Sequence, residues 1–238
     1  MGLLDDALCA YGGLDRWRQL KEFTVHISID GSLFVGKGKS GLLKDIVAEG
    51  CTQSQSVRFT GFTAPDRRGL YRPNRVAIET LGGRLLEERA NPWEAFPGLA
   101  DETRWDDLHL LFFCGFSVWN WLTTPFLLAH AGVETEELPQ WREGRPDWRR
   151  LRAVFPRDFV THSPEQIFYF DGAGLQRRTD CQFVDTRGTR IAHYSWAHQA
   201  FSNILLPTLR QSLLVRPDGT IVRKPAFVDI EIFDASFA

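Results

Sequence analysis

The sequence predicts an α+β fold: one curved antiparallel β-sheet of about ten strands, an incomplete barrel, wrapped around a central helical insert at about 105–131. Three observations predict it. Short strand-like segments broken by turn residues fill the chain on both sides of its middle, a spacing that suits hairpins and leaves no room for βαβ crossovers. Residues 108–128 contain no Asp, Glu, Lys or Arg. The same stretch carries Phe112, Phe113, Phe116, Trp119, Trp121 and Phe126. An aromatic helix between two sets of strands reads as an apolar plug inside the sheet, and such an arrangement encloses a pocket for a hydrophobic molecule.

The elements follow in order. Leu3 to Tyr11 and Leu14 to Leu20 read as short helices broken at Gly12-Gly13, with Leu14, Trp17 and Leu20 on one face. Phe23, Val25, Ile27 and Ile29 then alternate with Thr24, His26, Ser28 and Asp30 in the cleanest strand of the chain. Further strands are expected at 44–50, 55–62, 68–72, 75–81 and 84–89, with Gly82-Gly83 as a tight hairpin. In the insert, apolar residues occupy nearly every helical face, which marks a buried helix. Gly115 is a candidate bend and Pro125 a stop. Strands resume at about 148–155, 165–170, 175–184, 190–197, 208–216 and 226–233, with turns at Asp171-Gly172-Ala173-Gly174 and Pro217-Asp218-Gly219. No linker composition divides residues 1–238, so a single half-barrel domain is expected.

Composition limits the function classes. Aromatic residues make up 13% of the chain, with 18 Phe and 8 Trp, enough to build a large core or an aromatic-lined cavity. Net charge is −2 and Lys and Arg are not clustered, which argues against nucleic acid as a partner. Polar residues and Pro125 interrupt the apolar run, so no integral membrane span is expected. The N-terminal segment lacks a signal-like basic and apolar pattern, and Cys9, Cys51, Cys114 and Cys181 lie far apart. A cytoplasmic location is the expectation. The oligomeric state stays open.

Tyr11-Gly12-Gly13-Leu14-Asp15-Arg16-Trp17 runs directly into the alternating strand at 23–29. This opening resembles that of bacterial proteins with the lipoprotein-carrier fold of the LolA/LolB type. Trp105-Asp106-Asp107-Leu108-His109, followed by Trp119-Asn120-Trp121-Leu122-Thr123-Thr124-Pro125-Phe126, resembles a group of uncharacterised bacterial proteins placed near that fold. The second resemblance covers most of the chain. The first concerns architecture more than sequence. The resemblance implies a half-barrel whose concave face is closed by helices and holds acyl chains or other hydrophobic molecules. The chain departs from the carriers in lacking an evident export signal and a lipidated N-terminal cysteine.

The expected partner is therefore a hydrophobic small molecule or lipid, held by Phe112, Phe113, Phe116, Trp119 and Trp121, with His193 and Trp196 at the cavity mouth. The alternative is a cofactor-independent isomerase, cyclase or hydrolase acting in the same pocket. For that reading Asp106 and His109, three apart on one helical face, are the candidate acid/base pair. A structural role competes with it: a helix cap at Asp106 or Asp107 and a core hydrogen bond at His109. His193 and His198 find no third ligand, so no metal is expected, and no motif calls for a cofactor. Gly36-Lys37-Gly38-Lys39-Ser40-Gly41 mimics a phosphate loop. Leu33 stands where such a loop needs glycine, and a β-turn is expected instead. Residues 141–152, rich in Arg and Trp, read as a solvated hairpin with Arg stems over Trp faces.

Overall fold

The computed structural model describes residues 2–96, 103–141, 147–183 and 188–238. Strand β1 (Glu22–Asp30) realises the expected alternation: Phe23, Val25, Ile27 and Ile29 are buried while Glu22 and Thr24 are exposed. From it a chain of antiparallel neighbours runs outward through β2 (Leu43–Cys51), β3 (Val57–Thr60), β4 (Arg67–Arg72), β5 (Arg75–Thr80) and β6 (Leu85–Ala90). The second half comprises β7 (Glu134–Trp141), β8 (Trp148–Val154), β9 (Glu165–Phe170), β10 (Gln176–Gln182), β11 (Arg190–Phe201), β12 (Ile204–Val215), β13 (Ile221–Val222) and β14 (Val228–Phe237). Strand β14 pairs with both β1 and β12 and so joins the halves; the short β13 hangs from β12. Among the described residues the result is one open sheet of fourteen strands with β6 and β7 at its two edges. Both edges are solvated and carry charge at Glu87, Glu88, Glu136 and Glu137, which discourages pairing with another sheet.

Helices α1 (Leu3–Ala10) and α2 (Leu14–Gln19) sit where expected. Tyr11 is fully buried, and Trp17 stacks on Phe126 with ring centroids 4.3 Å apart. The central insert is helix α4 (Asp107–Thr123), followed by a short 3-10 turn at Phe126–Ala129. Every residue of α4 except Asp107 and His109 is buried. Such a helix is stable only inside protein, because its apolar faces meet side chains all round. It lies over β3, β4 and β5.

Gly115 does not bend α4, which is continuous; it allows close approach. A Cβ there would stand 2.2 Å from the Tyr71 ring on β4, and one on Gly69 would stand 2.6 Å from Leu111. Two facing glycines thus seat helix on sheet.

Three expectations change. The sheet has fourteen strands among the described residues, not about ten. Strand β7 was not anticipated because, as a solvated edge, it shows none of the alternation that a half-buried strand needs. The glycine-rich segment is not a simple β-turn. Ser32–Lys37 forms a short helix, α3, closed by Gly38 at φ +71° in the left-handed region. The Arg- and Trp-rich stretch does form a hairpin: Trp141 pairs with Trp148, and the Arg150 guanidinium lies 5.4 Å from the Trp141 ring centroid. Its residues 142–146, and residue 184 of the strand expected at 175–184, lie outside the described residues.

Candidate functional site

The interior of the half-barrel differs at the two ends of α4. Where Phe112 and Phe116 face the sheet, the helix meets mainly aromatic rings. Phe112 packs against Tyr71, Trp93 and Phe96, and Phe116 against Phe113 and Trp93. Near its C-terminal end, at Asn120, Trp121 and Thr124, the helix leaves a narrow cavity against β9, β10, β11, β12 and β14. The cavity volume is about 40 Å³, room for on the order of three waters.

Strand pleating supplies the cavity's polar floor. Thr179, His193 and Ser212 face one another across β10, β11 and β12, and Ser195 pairs with Arg210 in the next inward row. Arg210 Nη1 donates to Ser195 Oγ at 3.2 Å and to His193 Nε2 at 3.4 Å, and Nη2 donates to the Trp121 carbonyl at 2.6 Å. A guanidinium only donates, so His193 Nε2 accepts. Its proton therefore sits on Nδ1 and is donated to Ser212 Oγ at 2.8 Å. The Trp121 ring lies nearly parallel to two imidazoles, His193 at 5.5 Å and His162 at 6.1 Å. His162 Nε2 in turn meets Ser117 Oγ at 3.1 Å. On the next strands Gln176 Nε2 donates to Thr179 Oγ1, and Gln166 Nε2 to Thr161 Oγ1.

Burial sets the protonation of this cluster. It pushes His162 down to about 4. It pushes His193 well below the usual imidazole value, with Arg210 and His162 adding to the effect. Both imidazoles are neutral at pH 7. Burial also lowers Arg210, to about 10, leaving it charged. Burial raises Tyr11, whose hydroxyl accepts from the Gln176 backbone N–H at 3.1 Å, to about 12.

Of the residues singled out in the sequence, Phe113, Trp121 and His193 line the cavity. Phe112, Phe116 and Trp119 do not. The first two fill the core, and the Trp119 indole donates to the Cys51 carbonyl at 2.7 Å. Trp196 is 37% exposed, because the strand period of two turns it away from the inward row of His193 and Ser195. Asp106 and His109 lie at the other end of α4. His109 stands twelve residues before Trp121, about 18 Å along the axis. Asp106 Oδ1 accepts from the His109 backbone N–H at 2.8 Å as the helix cap, and its carboxylate pairs with Arg89 at 2.6 Å. Partial burial works against its ionisation; the bonds from Arg89 and His109 outweigh that and hold it at about 2. The His109 ring is held between Asp106 Oδ1 and the Ala95 carbonyl, at 2.8 and 3.2 Å. This pair is the helix cap and is absent from the cavity lining.

His162, Gln176, Arg210 and Ser212 escaped the sequence reading. A signal for two of them exists in β12, where Thr208, Arg210 and Ser212 take the inward phase while Leu205 and Leu209 take the less buried one. A strand whose inward phase is polar marks a polar cavity.

The class defined by this geometry is an open antiparallel half-barrel with a helical insert and a narrow cavity on its concave side. No family model matches the chain, and no curated protein does. Solved structures share the fold. A Vibrio parahaemolyticus domain titled for outer-membrane lipoprotein sorting matches with a TM-score of 0.55 at 7% identity, over 99% of this chain and 90% of that one. A DUF1329 family protein from Desulfovibrio piger matches at 0.50 and 11% identity, over 99% and 91%. A LolA superfamily protein from Nitrosomonas europaea follows at 0.48 and 9%, over 92% and 86%. The chain shares the open half-barrel fold of the first two of these structures. No described helix is long and apolar enough to cross a membrane.

Proposed function

We propose that this protein binds a hydrophobic small molecule or lipid in the cavity between the end of α4 and the second half of the sheet. The observation that carries the reading is that cavity: a space walled by Phe113, Trp121, Phe155, Phe168 and Phe183. Apolar walls with a few placed polar groups are the usual make-up of small-ligand sites. The fold supports the reading, since one structural neighbour carries lipoprotein sorting in its title. The cavity is narrow, so a long chain enters only if the wall around α4 gives way.

The test is direct. Protein purified without detergent is denatured and its released small molecules identified by mass spectrometry. In parallel a fluorescent fatty acid is titrated into folded protein. Saturable binding, displaced by unlabelled apolar molecules, is expected. Absence of binding by probes of every size would end this reading.

An enzyme acting on a hydrophobic substrate is the second reading. The observation in its favour is that two imidazoles, His162 and His193, line the cavity on either side of Trp121. Against it stands their weak basicity, which makes both poor general bases at neutral pH. Recovery of the ligand unchanged after long incubation separates carrier from enzyme.

A further inference from the structure

We propose that the cavity selects a monocarboxylate on an apolar chain, its carboxylate seated on the Arg210 guanidinium and its chain lying along Trp121 and the neighbouring phenylalanines. The proposal rests on the reading of the cavity as a hydrophobic-ligand site, names the ligand's head group, and requires the wall around α4 to give way to admit the chain.

Arg210 is 2% exposed and lines the cavity. Three of its N–H bonds go to Ser195, His193 and the Trp121 carbonyl, all neutral partners. Its Nε has no hydrogen-bond partner in the protein. Among the described residues no carboxylate forms an ion pair with it. A cation taken out of water is tolerated when an anion or a full set of hydrogen bonds compensates it. Here the protein supplies position without compensation. The bonds on Nη1 and Nη2 fix the plane of the guanidinium and leave the N–H on its Nε edge buried and without a partner. That edge is one side of the fork that grips a carboxylate.

The surroundings point the same way. Four buried side-chain atoms among the described residues lack a partner, and three of them, Arg210 Nε, Gln176 Oε1 and Asn120 Oδ1, belong to residues lining this cavity. The Gln176 amide bonds the Thr179 hydroxyl, which both donates and accepts. Turned over, the amide keeps that bond and offers its N–H to an anion. Both nearby imidazoles are neutral, so the site presents a single positive charge. One charge in a narrow space matches a monoanion. A phosphate monoester would bring a second negative charge with no cation to meet it. Beyond the polar floor the walls are mostly rings with Leu127, Ile191 and Val228, which suit a chain and not a free anion.

The test compares octanoate, octan-1-ol and acetate as displacers of a bound fluorescent fatty acid at pH 8. Wild-type protein and Arg210→Met are measured, with circular dichroism and a thermal melt on each. Octanoate should displace at a concentration about tenfold to a hundredfold lower than octan-1-ol in the wild type, as a charge-assisted bond requires. In Arg210→Met the two should become equal. That variant removes a buried charge together with its three hydrogen bonds, and the melt reads whether it folds. If it does not, Arg210→Gln takes its place, and the wild-type comparison stands by itself. Equal displacement by octanoate and octan-1-ol in the wild type would overturn the proposal while leaving the hydrophobic-ligand reading intact. So would a carboxylate preference that survives in Arg210→Met, or acetate matching octanoate. Failure of any apolar probe to bind would overturn both.

Discussion

The two ends of α4 are built from the same helix and face the same sheet, yet their interiors are opposites. At Phe112 and Phe116 the contacts are ring to ring, with His162 touched only through the Phe116 face, and no charged group enters. At Trp121 the same helix meets a guanidinium, two imidazoles and hydroxyl and amide side chains, all withdrawn from solvent. The first arrangement is what stability alone favours: dense packing of large apolar groups. The second costs free energy, because buried polar groups gain little over their bonds with water and lose heavily when left without partners. An expensive polar interior beside a cheap apolar one marks a place kept for something other than folding.

The comparison breaks first under a charge placed at the dry end. Phe112→Asp puts an unpaired carboxylate among Tyr71, Trp93 and Phe96. The cost, several kcal/mol, is of the order of a domain's whole stability. The variant should be insoluble or unfolded, and soluble protein with a cooperative melt would contradict the packing described here.

A milder test uses pH at the wet end. His162 and His193 are held neutral by burial in the fold, below the ordinary value near 6.5 that they regain on unfolding. Between pH 6.5 and 4 the unfolded chain binds protons that the folded chain refuses. Stability is therefore full above 6.5 and declines as pH falls through this window, by at most about 1.4 kcal/mol per pH unit for each imidazole. Melting temperature followed from pH 8 to 4 should show the decline, and His193→Gln should flatten it. An unchanged slope in that variant would place the titration elsewhere.

The smallest effect belongs to the helix start. Asp106→Ala should cost about 1–2 kcal/mol through loss of the cap and the Arg89 pair, read as a shift in denaturant midpoint. His109→Gln should leave ligand affinity at the wild-type value. A selective loss of binding in it, with the melt unchanged, would move the site to that end.

The strands, the helical insert and its burial were legible because they rest on periodicity: Phe23 to Ile29 alternate, and α4 is apolar on all faces. Strand β7 was not, since an edge in water imposes no pattern on Glu134 to Gln140. The site was legible only in part. Phe113, Trp121 and His193 stand in the cavity, but aromatic density could not tell residues that line a space from those that fill one. Phe112 and Phe116 share helical faces with the lining residues and differ only in what the sheet puts opposite them. Arg210 escaped notice because its meaning depends on absent carboxylate partners, a property of three-dimensional neighbours. The inverted phase of Thr208, Arg210 and Ser212 was its only trace.

Cross-link mapping tests the central claim, that ligand enters the polar end and not the aromatic one. A photoactivatable fatty acid is bound to folded protein, irradiated, and the labelled peptides sequenced. Saturable labelling is expected in peptides containing Trp121, His162, Phe168 and His193. Labelling concentrated in 57–78 on β3 to β5, or scattered over the surface without saturation, would contradict it.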